Sequence, residues 1–142
     1  MDDRTLQRNF RILSKRHRQL VSSYLDRVGL YFGQPRLLFL IQENPGITRK
    51  DLAILSESLK ETISISIKRL IKAQLVIQVE NTLDKRIQHL YLSDKGNEVA
   101  QLIHTDFNRL NDSMVTGLSA QDKETLNMLF EKMLNNLKDF ND

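Results

Sequence analysis

A carboxylate and a guanidinium stand two residues apart in the segment NTLDKRIQHLYLSDKG, which covers residues 81–96. Asp84, Lys85 and Arg86 form a polar tip between two short runs of strand-forming residues, a pattern that predicts a hairpin. Groups of these types can pair with each other or bind a charged partner. The alternative is a solvated turn in which the ion pair is incidental.

Residues suited to catalysis or metal binding are sparse elsewhere. The chain contains no cysteine, which excludes disulfides, thiol catalysis, thiolate metal sites and cysteine redox switches. Its three histidines, His17, His89 and His104, include no His-x-x-x-His pair, and no nucleophile stands at a suitable spacing from a base. The sequence therefore predicts a protein that is not an enzyme and that uses no metal or cofactor.

The distribution of charge favours an anionic partner. The chain of 142 residues has a formal net charge of +3. Residues 1–46, 47–95 and 96–142 carry net charges of +4, +3 and −4, so basic side chains are concentrated in the first two segments. This asymmetry is compatible with an anionic partner that faces one side of the molecule.

Hydrophobic periodicity predicts a mostly α-helical domain with one small β-hairpin. Long helices are predicted over residues 3–31, from Ser93 to about Val115, and from Ser119 onwards. Shorter helices are predicted over 36–44, Thr48 to Leu55 and about Leu59 to Ala73, followed by strands over 75–80 and 87–92. Thr48 and Ser119 each stand three residues before an aspartate, which is the spacing of helix N-terminal caps.

The terminal helices predict a helical homodimer. A helix of about 29 residues is more than about 40 Å long, which exceeds what a domain of this size can cover. Its apolar seam is therefore expected to pack against a second copy of the chain. We expect a single domain, 1–142, in which 1–33 and 96–142 are dimerisation helices and 34–95 form a separate lobe.

That lobe has the element order of a winged helix-turn-helix: a short helix, a turn at residues 56–58, a second helix with a polar face, and a hairpin. In this fold the second helix lies in the DNA major groove, and the wing contacts the backbone or the minor groove. Lys60 and Lys68 can neutralise phosphates, and Thr62 and Ser64 are small hydrogen-bonding residues that can approach bases closely.

Residues 34–96 resemble the MarR (multiple antibiotic resistance regulator) family of bacterial transcription regulators. The segment DLAILSESLKETISISIKRLIKAQLV follows the family's helix-turn-helix, including its closing Leu-Val. DKRIQHLYLSDKG matches the wing signature, which is Asp-x-Arg, five residues, Leu-Ser or Leu-Thr, and a glycine after two more. The signature falls here on Asp84, Arg86, Leu92, Ser93 and Gly96.

The resemblance implies a sequence-specific, DNA-binding homodimer that represses transcription from a near-palindromic operator in double-stranded DNA. It implies that Arg86 contacts DNA from the wing and that Asp84 orients Arg86. An exposed ion pair by itself adds little stability, which fits a role in fixing the guanidinium before binding. Ile65 is expected either to contact a thymine methyl or to be only an exposed apolar residue. The predicted DNA-binding residues are Arg49, Lys50, Lys60, Thr62, Ser64, Ile65, Lys68, Asp84, Lys85 and Arg86.

The chain departs from the family pattern in four features. Gln74 replaces the usual glycine before Leu-Val, which bears on the geometry of that turn. The first wing strand, Ile77 to Glu80, lacks the usual arginines, Ile65 in the second helix stands where arginine is common, and Glu61 adds a negative charge. The last three features are also compatible with a winged-helix dimer that binds proteins and has lost specific DNA binding.

The family further implies a small aromatic or anionic effector held where the dimer helices meet the DNA-binding lobe. The candidate contacts are His17, Tyr24, Tyr31, Arg36 and Phe39. Aromatic core packing is the alternative for the rings, and a hydrogen bond across the dimer interface is the alternative for His17.

The N-terminal segment is charged throughout, and no apolar run approaches the roughly 18 residues of a membrane span. We therefore expect a cytoplasmic protein without a membrane partner. The cationic first helix could instead lie on a membrane surface, but its apolar stripe is narrow and a dimer seam explains it better.

Overall fold

The computed structural model describes residues 2–140, within which the chain forms six helices and three strands. The helices are α1 (Asp3–Val28), α2 (Gln34–Glu43), α3 (Arg49–Ser56), α4 (Lys60–Lys72), α5 (Asp94–Met114) and α6 (Ala120–Leu137). The strands are β1 (Ile47–Thr48), β2 (Val76–Glu80) and β3 (Gln88–Leu92). The predicted fold class, mostly helical with a small β-hairpin wing, is confirmed.

The three strands form one antiparallel sheet in the order β1-β3-β2. The hairpin pairs Val76 with Leu92 and Glu80 with Gln88, so that residues 81–87 form the tip of the wing. Strand β1 was not predicted, because two residues are too few to show the alternation that identifies a strand. It adds a third strand to the sheet by pairing with His89 and Leu90 of β3.

The chain divides into two compact units, with the boundary between Gln101 and Leu102. The first unit contains α1 to α4, the sheet and the beginning of α5, and the second contains the rest of α5 and α6. The single-domain organisation with terminal dimerisation segments stays a prediction. Met1, Asn141 and Asp142, which those segments include, lie outside the described residues.

The core of the first unit joins α2, α3, α4 and β3. Its largest side chains with less than 2% of their surface exposed are Leu38, Ile41, Leu52, Ile63, Ile67, Leu70 and Leu90. Three of them recur along α4 at spacings of four and three, so this helix buries one face and leaves the opposite face in solvent. Each buried side chain of this size contributes about 1.5–3 kcal/mol, which fixes α4 firmly on the lobe.

Two predicted helix caps are confirmed. The Thr48 hydroxyl accepts a hydrogen bond from the Asp51 backbone N–H at 3.2 Å. Ser119 and Asp122 form a reciprocal capping box at the start of α6. The predicted end of α1 at residue 31 was wrong, because Gly29 adopts a left-handed conformation (φ 75°) that ends the helix at Val28.

The turn from α4 to β2 places Gln74 in the left-handed conformation, which residues with a Cβ do not favour. Gln74, which stands where the MarR pattern has glycine, has a φ of 64°. A side chain with a Cβ pays about 1 kcal/mol in this region, whereas glycine does not. This turn therefore holds a residue with a Cβ in a left-handed conformation, at a cost in stability.

Replacing Gln74 by glycine is expected to raise the free energy of unfolding by about 0.5–1 kcal/mol, because the backbone strain is relieved. The measurement is chemical denaturation of both proteins. Ala73→Gly is the matched control. Ala73 has a right-handed φ of −77°, so glycine there should destabilise the protein. Equal effects of the two changes would contradict the assignment of strain to Gln74.

The beginning of α5 is attached to three consecutive carbonyls at the end of α4. The Ser93 N–H donates to Leu75 O at 3.0 Å, its hydroxyl donates to Gln74 O at 2.6 Å, and Lys95 Nζ donates to Ala73 O at 3.2 Å. The Ser93 hydroxyl also accepts from the Gly96 N–H at 2.9 Å. This junction gives a structural role to the Ser-x-x-Gly part of the wing signature.

Candidate nucleic-acid interface

The predicted ion pair is present at the tip of the wing. Arg86 Nε and Nη2 donate to Asp84 Oδ1 and Oδ2, each at 3.0 Å, and the Arg86 backbone N–H donates to Oδ1 at 3.0 Å. The pair is bidentate, yet 90% of the Arg86 side chain is exposed. Its guanidinium is thus held in one orientation while it stays open to an anionic partner.

Each member of this pair shifts the pKa of the other. The side-chain hydrogen bond from Arg86, and then its backbone N–H, lower the pKa of Asp84 below the usual 3.8. The hydrogen bonds that Arg86 donates to the Asp84 carboxylate raise the pKa of Arg86. A lowered carboxyl pKa means that the pair is intact above the ordinary aspartate range and is lost only as pH falls through the lowered value. The pair therefore persists at every pH at which DNA binding is normally measured.

The side chain of Asn81 holds the backbone of the wing tip by hydrogen bonds. Asn81 Oδ1 accepts hydrogen bonds from the Leu83 N–H at 2.9 Å and the Asp84 N–H at 3.0 Å. Leu83 is 96% exposed in the same turn, and it was not among the predicted contacts. The signal in the sequence that could have identified Leu83 was an apolar residue within an otherwise polar turn. The tip thus exposes both a leucine and a guanidinium.

Helix α4 presents a polar face to solvent. Lys60, Thr62 and Lys68 are exposed, and Ser64 is half-buried between its neighbours. Lys60, Ser64 and Lys68 are spaced by four residues and so share one stripe of the helix. Ile65 is 55% exposed on this solvent-facing side, which leaves both interpretations of it open. The structure brings these predicted contacts together on one helix.

The two basic residues at the start of α3 differ in their surroundings. Lys50 is exposed, whereas Arg49 is half-buried and donates from Nη2 to Gln78 Oε1 on β2. Arg49 Nε is buried without a hydrogen-bond partner among the described residues. Arg49 therefore links α3 to the sheet, and only Lys50 of this pair is fully exposed.

The five candidate effector contacts differ in their surroundings, and their role stays a prediction. Tyr31 is 58% exposed and its ring lies 4.3 Å from the Arg69 guanidinium, while Arg36 donates to Leu55 O at 3.4 Å. His17, Tyr24 and Phe39 are half-buried. An open cavity of about 480 Å³ lies elsewhere, and none of the five lines it. It is lined by Asn44, Pro45, Gly46, Ile47, Asp51, Ile54 and Leu55.

Residues 2–140 contain no group of three or more histidine, cysteine, aspartate or glutamate side chains arranged to hold a metal ion. No helix in the same range is long and apolar enough to cross a membrane.

Comparison with known proteins gives consistent matches. Residues 37–108 match the ArnR1-like winged-helix domain family. An HTH-type transcriptional regulator of Staphylococcus aureus is 31% identical over 115 residues, which cover 78% of each chain. A MarR protein from Peptoclostridium difficile has a solved structure with 30% identity and a TM-score of 0.77, covering 96% of this chain and 90% of that one.

The MepR–DNA complex of S. aureus is also similar in fold, with a TM-score of 0.77 and 21% identity. The match covers 93% of this chain and 97% of MepR. At this identity the likeness concerns the fold alone.

Proposed function

This chain belongs to the MarR family of winged helix-turn-helix, DNA-binding transcription regulators, and from this premise we propose that it represses transcription as a homodimer on a near-palindromic operator. The single observation that carries the proposal is the wing, where a bidentate ion pair orients an arginine that remains 90% exposed. An orientation fixed at this degree of exposure adds little to stability, so its value lies in binding. The proposal places the protein in the cytoplasm and includes no catalytic activity.

In the proposed complex α4 lies in the major groove. Thr62, Ser64 and Ile65 would meet base edges, while Lys60 and Lys68 would bind phosphates. The wing would reach the adjacent minor groove or backbone with Arg86 and Lys85, and Lys50 would add a phosphate contact. Because most of these contacts neutralise phosphate, affinity should fall steeply with salt.

Exposed apolar side chains on the terminal helices support the homodimer. On α1 Leu6, Phe10, Leu13 and Leu20 are each at least half exposed. On α6 Leu134 and Leu137 are 69% and 63% exposed. Apolar side chains at helical spacing are ordinarily covered, and a second copy of the chain would cover both seams. Two-fold symmetry of the protein then requires a near-palindromic DNA site.

We further propose that a small aromatic or anionic effector relieves repression. Support comes from two exposed rings that follow α1, Tyr31 beside Arg69 and Phe32 beside Arg18, at 4.3 and 4.7 Å from the guanidinium carbons. An aromatic acid could compete for either partner of these stacks. To act, it must bind the DNA-free arrangement of the dimer more tightly than the DNA-bound one.

The test is selection of duplexes from a random DNA library by the intact protein. We expect an enriched inverted repeat with half-sites about 10 base pairs apart or a multiple of that. Light scattering should give a mass about twice the chain mass of 16.6 kDa. Affinity for the selected duplex, measured by fluorescence anisotropy, should fall by about a thousandfold or more between 50 and 200 mM salt.

A second candidate function, a protein-binding winged-helix dimer, is favoured by exposed apolar residues on the same lobe. Ile65 is 55% exposed on α4, and Ile77 and Val79 on β2 are 48% and 47% exposed. A library selection that enriches no sequence, from a protein that is dimeric and folded, would favour this function over repression.

A further inference from the structure

A chain of hydrogen bonds connects the turn before β1 to the tip of the wing. Gly46 lies in that turn, and its carbonyl oxygen is 2.8 Å from His89 Nδ1 on β3. His89 Nε2 is 2.9 Å from Asn81 Nδ2. Asn81 Oδ1 in turn accepts from the backbone N–H groups of Leu83 and Asp84. The chain of bonds ends at the residue whose carboxylate orients Arg86.

Only one arrangement of protons satisfies every bond in this chain. A carbonyl oxygen can only accept, so His89 Nδ1 must carry a proton. Asn81 Oδ1 accepts two backbone N–H groups, which fixes the amide orientation and turns the Nδ2 donor towards the imidazole. His89 Nε2 must therefore accept, and the ring must be neutral with its proton on Nδ1.

We propose that His89 and Asn81 position the wing arginine for DNA, and that protonation of His89 weakens DNA binding by releasing the wing tip. The inference rests on the proposed DNA-binding function. Neither residue need touch DNA in this arrangement, since both act through the backbone of Leu83 and Asp84.

The consequence of a second proton on the imidazole follows from donor and acceptor counts. Protonated Nε2 would point a donor at the Asn81 Nδ2 donor, which breaks that bond. Rotating the amide to present Oδ1 to the ring would turn Nδ2 towards two backbone N–H groups. The bonds to Leu83 and Asp84 would then be lost instead. In either case the wing tip loses part of the support that holds Asp84 and, through it, Arg86.

Within residues 2–140, the hydrogen bonds of the His89 ring go to two uncharged groups, the Gly46 carbonyl and the Asn81 amide. Thr48 on β1 and Val79 on β2 stand opposite His89 in the sheet, and both are uncharged. The titratable residues on the elements around it are Tyr91 on β3, Glu80 on β2, Arg49, Lys50 and Asp51 on α3, and Lys85 and the Asp84–Arg86 pair in the wing. That pair stays ionised throughout the range in which histidines titrate, because the pKa of Asp84 is lowered.

The direction in which DNA affinity changes on acidification distinguishes this proposal from a simple effect of added positive charge. An added positive charge on a DNA-binding lobe strengthens binding to phosphate. The proposed release of the wing tip weakens binding instead. Loss of affinity on acidification is thus the distinguishing sign.

The first experiment requires no DNA. Long-range ¹H–¹⁵N correlation spectra of the full chain at pH 8 report which ring nitrogen of each histidine carries the proton. We expect His89, assigned by comparison with His89→Gln, to be the neutral Nδ1–H form. The Nε2–H form would overturn the inference and would leave the DNA-binding proposal untouched.

The second experiment measures affinity for the library-selected duplex at pH 8 and pH 5.5 at constant ionic strength. We expect the native protein to bind about tenfold more weakly at pH 5.5, which corresponds to the loss of one or two hydrogen bonds. Asn81→Asp is the matched variant. Its carboxylate keeps an acceptor for both backbone N–H groups and offers the other oxygen to a protonated ring, so this variant should bind no more weakly at pH 5.5 than at pH 8.

His104→Gln is the control for the other titrating groups and should show the same acid weakening as the native protein. Spectra at both pH values must show a folded chain. Stronger binding by the native protein at pH 5.5, or equal weakening of Asn81→Asp, would overturn the inference. If no duplex is selected, the proposed function fails, and the spectra at pH 8 still decide the proton position.

Discussion

Replacing Gly96 by alanine is expected to lower the free energy of unfolding by about 3 kcal/mol or more, a large share of the marginal stability of a small protein. A Cβ at this position would lie 2.0 Å from the Leu75 backbone oxygen and 3.0 Å from its carbonyl carbon. The obstacle is backbone, which cannot rotate aside as a side chain can. The same oxygen accepts the Ser93 N–H, so displacing it also breaks the junction between α4 and α5.

Urea denaturation monitored by circular dichroism measures this loss. Gly29→Ala is the matched control, because Gly29 has a positive φ of 75° but nothing within 4 Å of its added Cβ. That change should cost only about 1 kcal/mol, from backbone conformation alone. Similar losses from the two substitutions would show that the close approach at Gly96 is relieved without strain.

Replacing Arg86 by alanine is expected to weaken binding to the selected operator by about tenfold to a hundredfold. The substitution removes a charge that is 90% exposed and already oriented by Asp84. The slope of log affinity against log salt should become shallower by about one unit, since one phosphate-neutralising group is lost. Thermal stability should be unchanged, because the pair is at the surface.

Two matched variants separate the contribution of the Arg86 charge to DNA affinity from the contribution of the Arg86 orientation. Arg86→Lys keeps the charge and should keep the salt slope, but it should recover only part of the affinity because lysine lacks the bidentate fork. Asp84→Asn keeps the arginine and should weaken binding with no change in slope. Full affinity for Asp84→Asn would show that the ion pair does not orient the arginine for binding.

Much of the fold could be predicted from the sequence because it depends on local rules. The apolar spacing of α4, the caps at Thr48 and Ser119, and the hairpin around residues 81–87 each follow from residues close together in the chain. The Asp84–Arg86 pair was predictable for the same reason, since its members are two residues apart. The wing signature added the expectation that Arg86 contacts DNA and that Asp84 orients it.

The features that could not be predicted depend on residues far apart in the chain. Strand β1 exists because β3 pairs with it, and the His89 contact to Gly46 spans 43 positions. His89 was accordingly seen only as one of three scattered histidines. Arg49 was predicted as a phosphate contact, but its bond to Gln78, 29 positions away, could not be foreseen. That DNA contact stays a prediction.

The junction between α4 and α5 has a mechanical consequence. Three hydrogen bonds and a glycine in backbone contact join the start of α5 to the turn that follows α4. This part of α5, up to Gln101, belongs to the same compact unit as α4. Any tilt of the start of α5 must therefore be shared by α4, and also by β3, whose last residue, Leu92, directly precedes Ser93 of the junction.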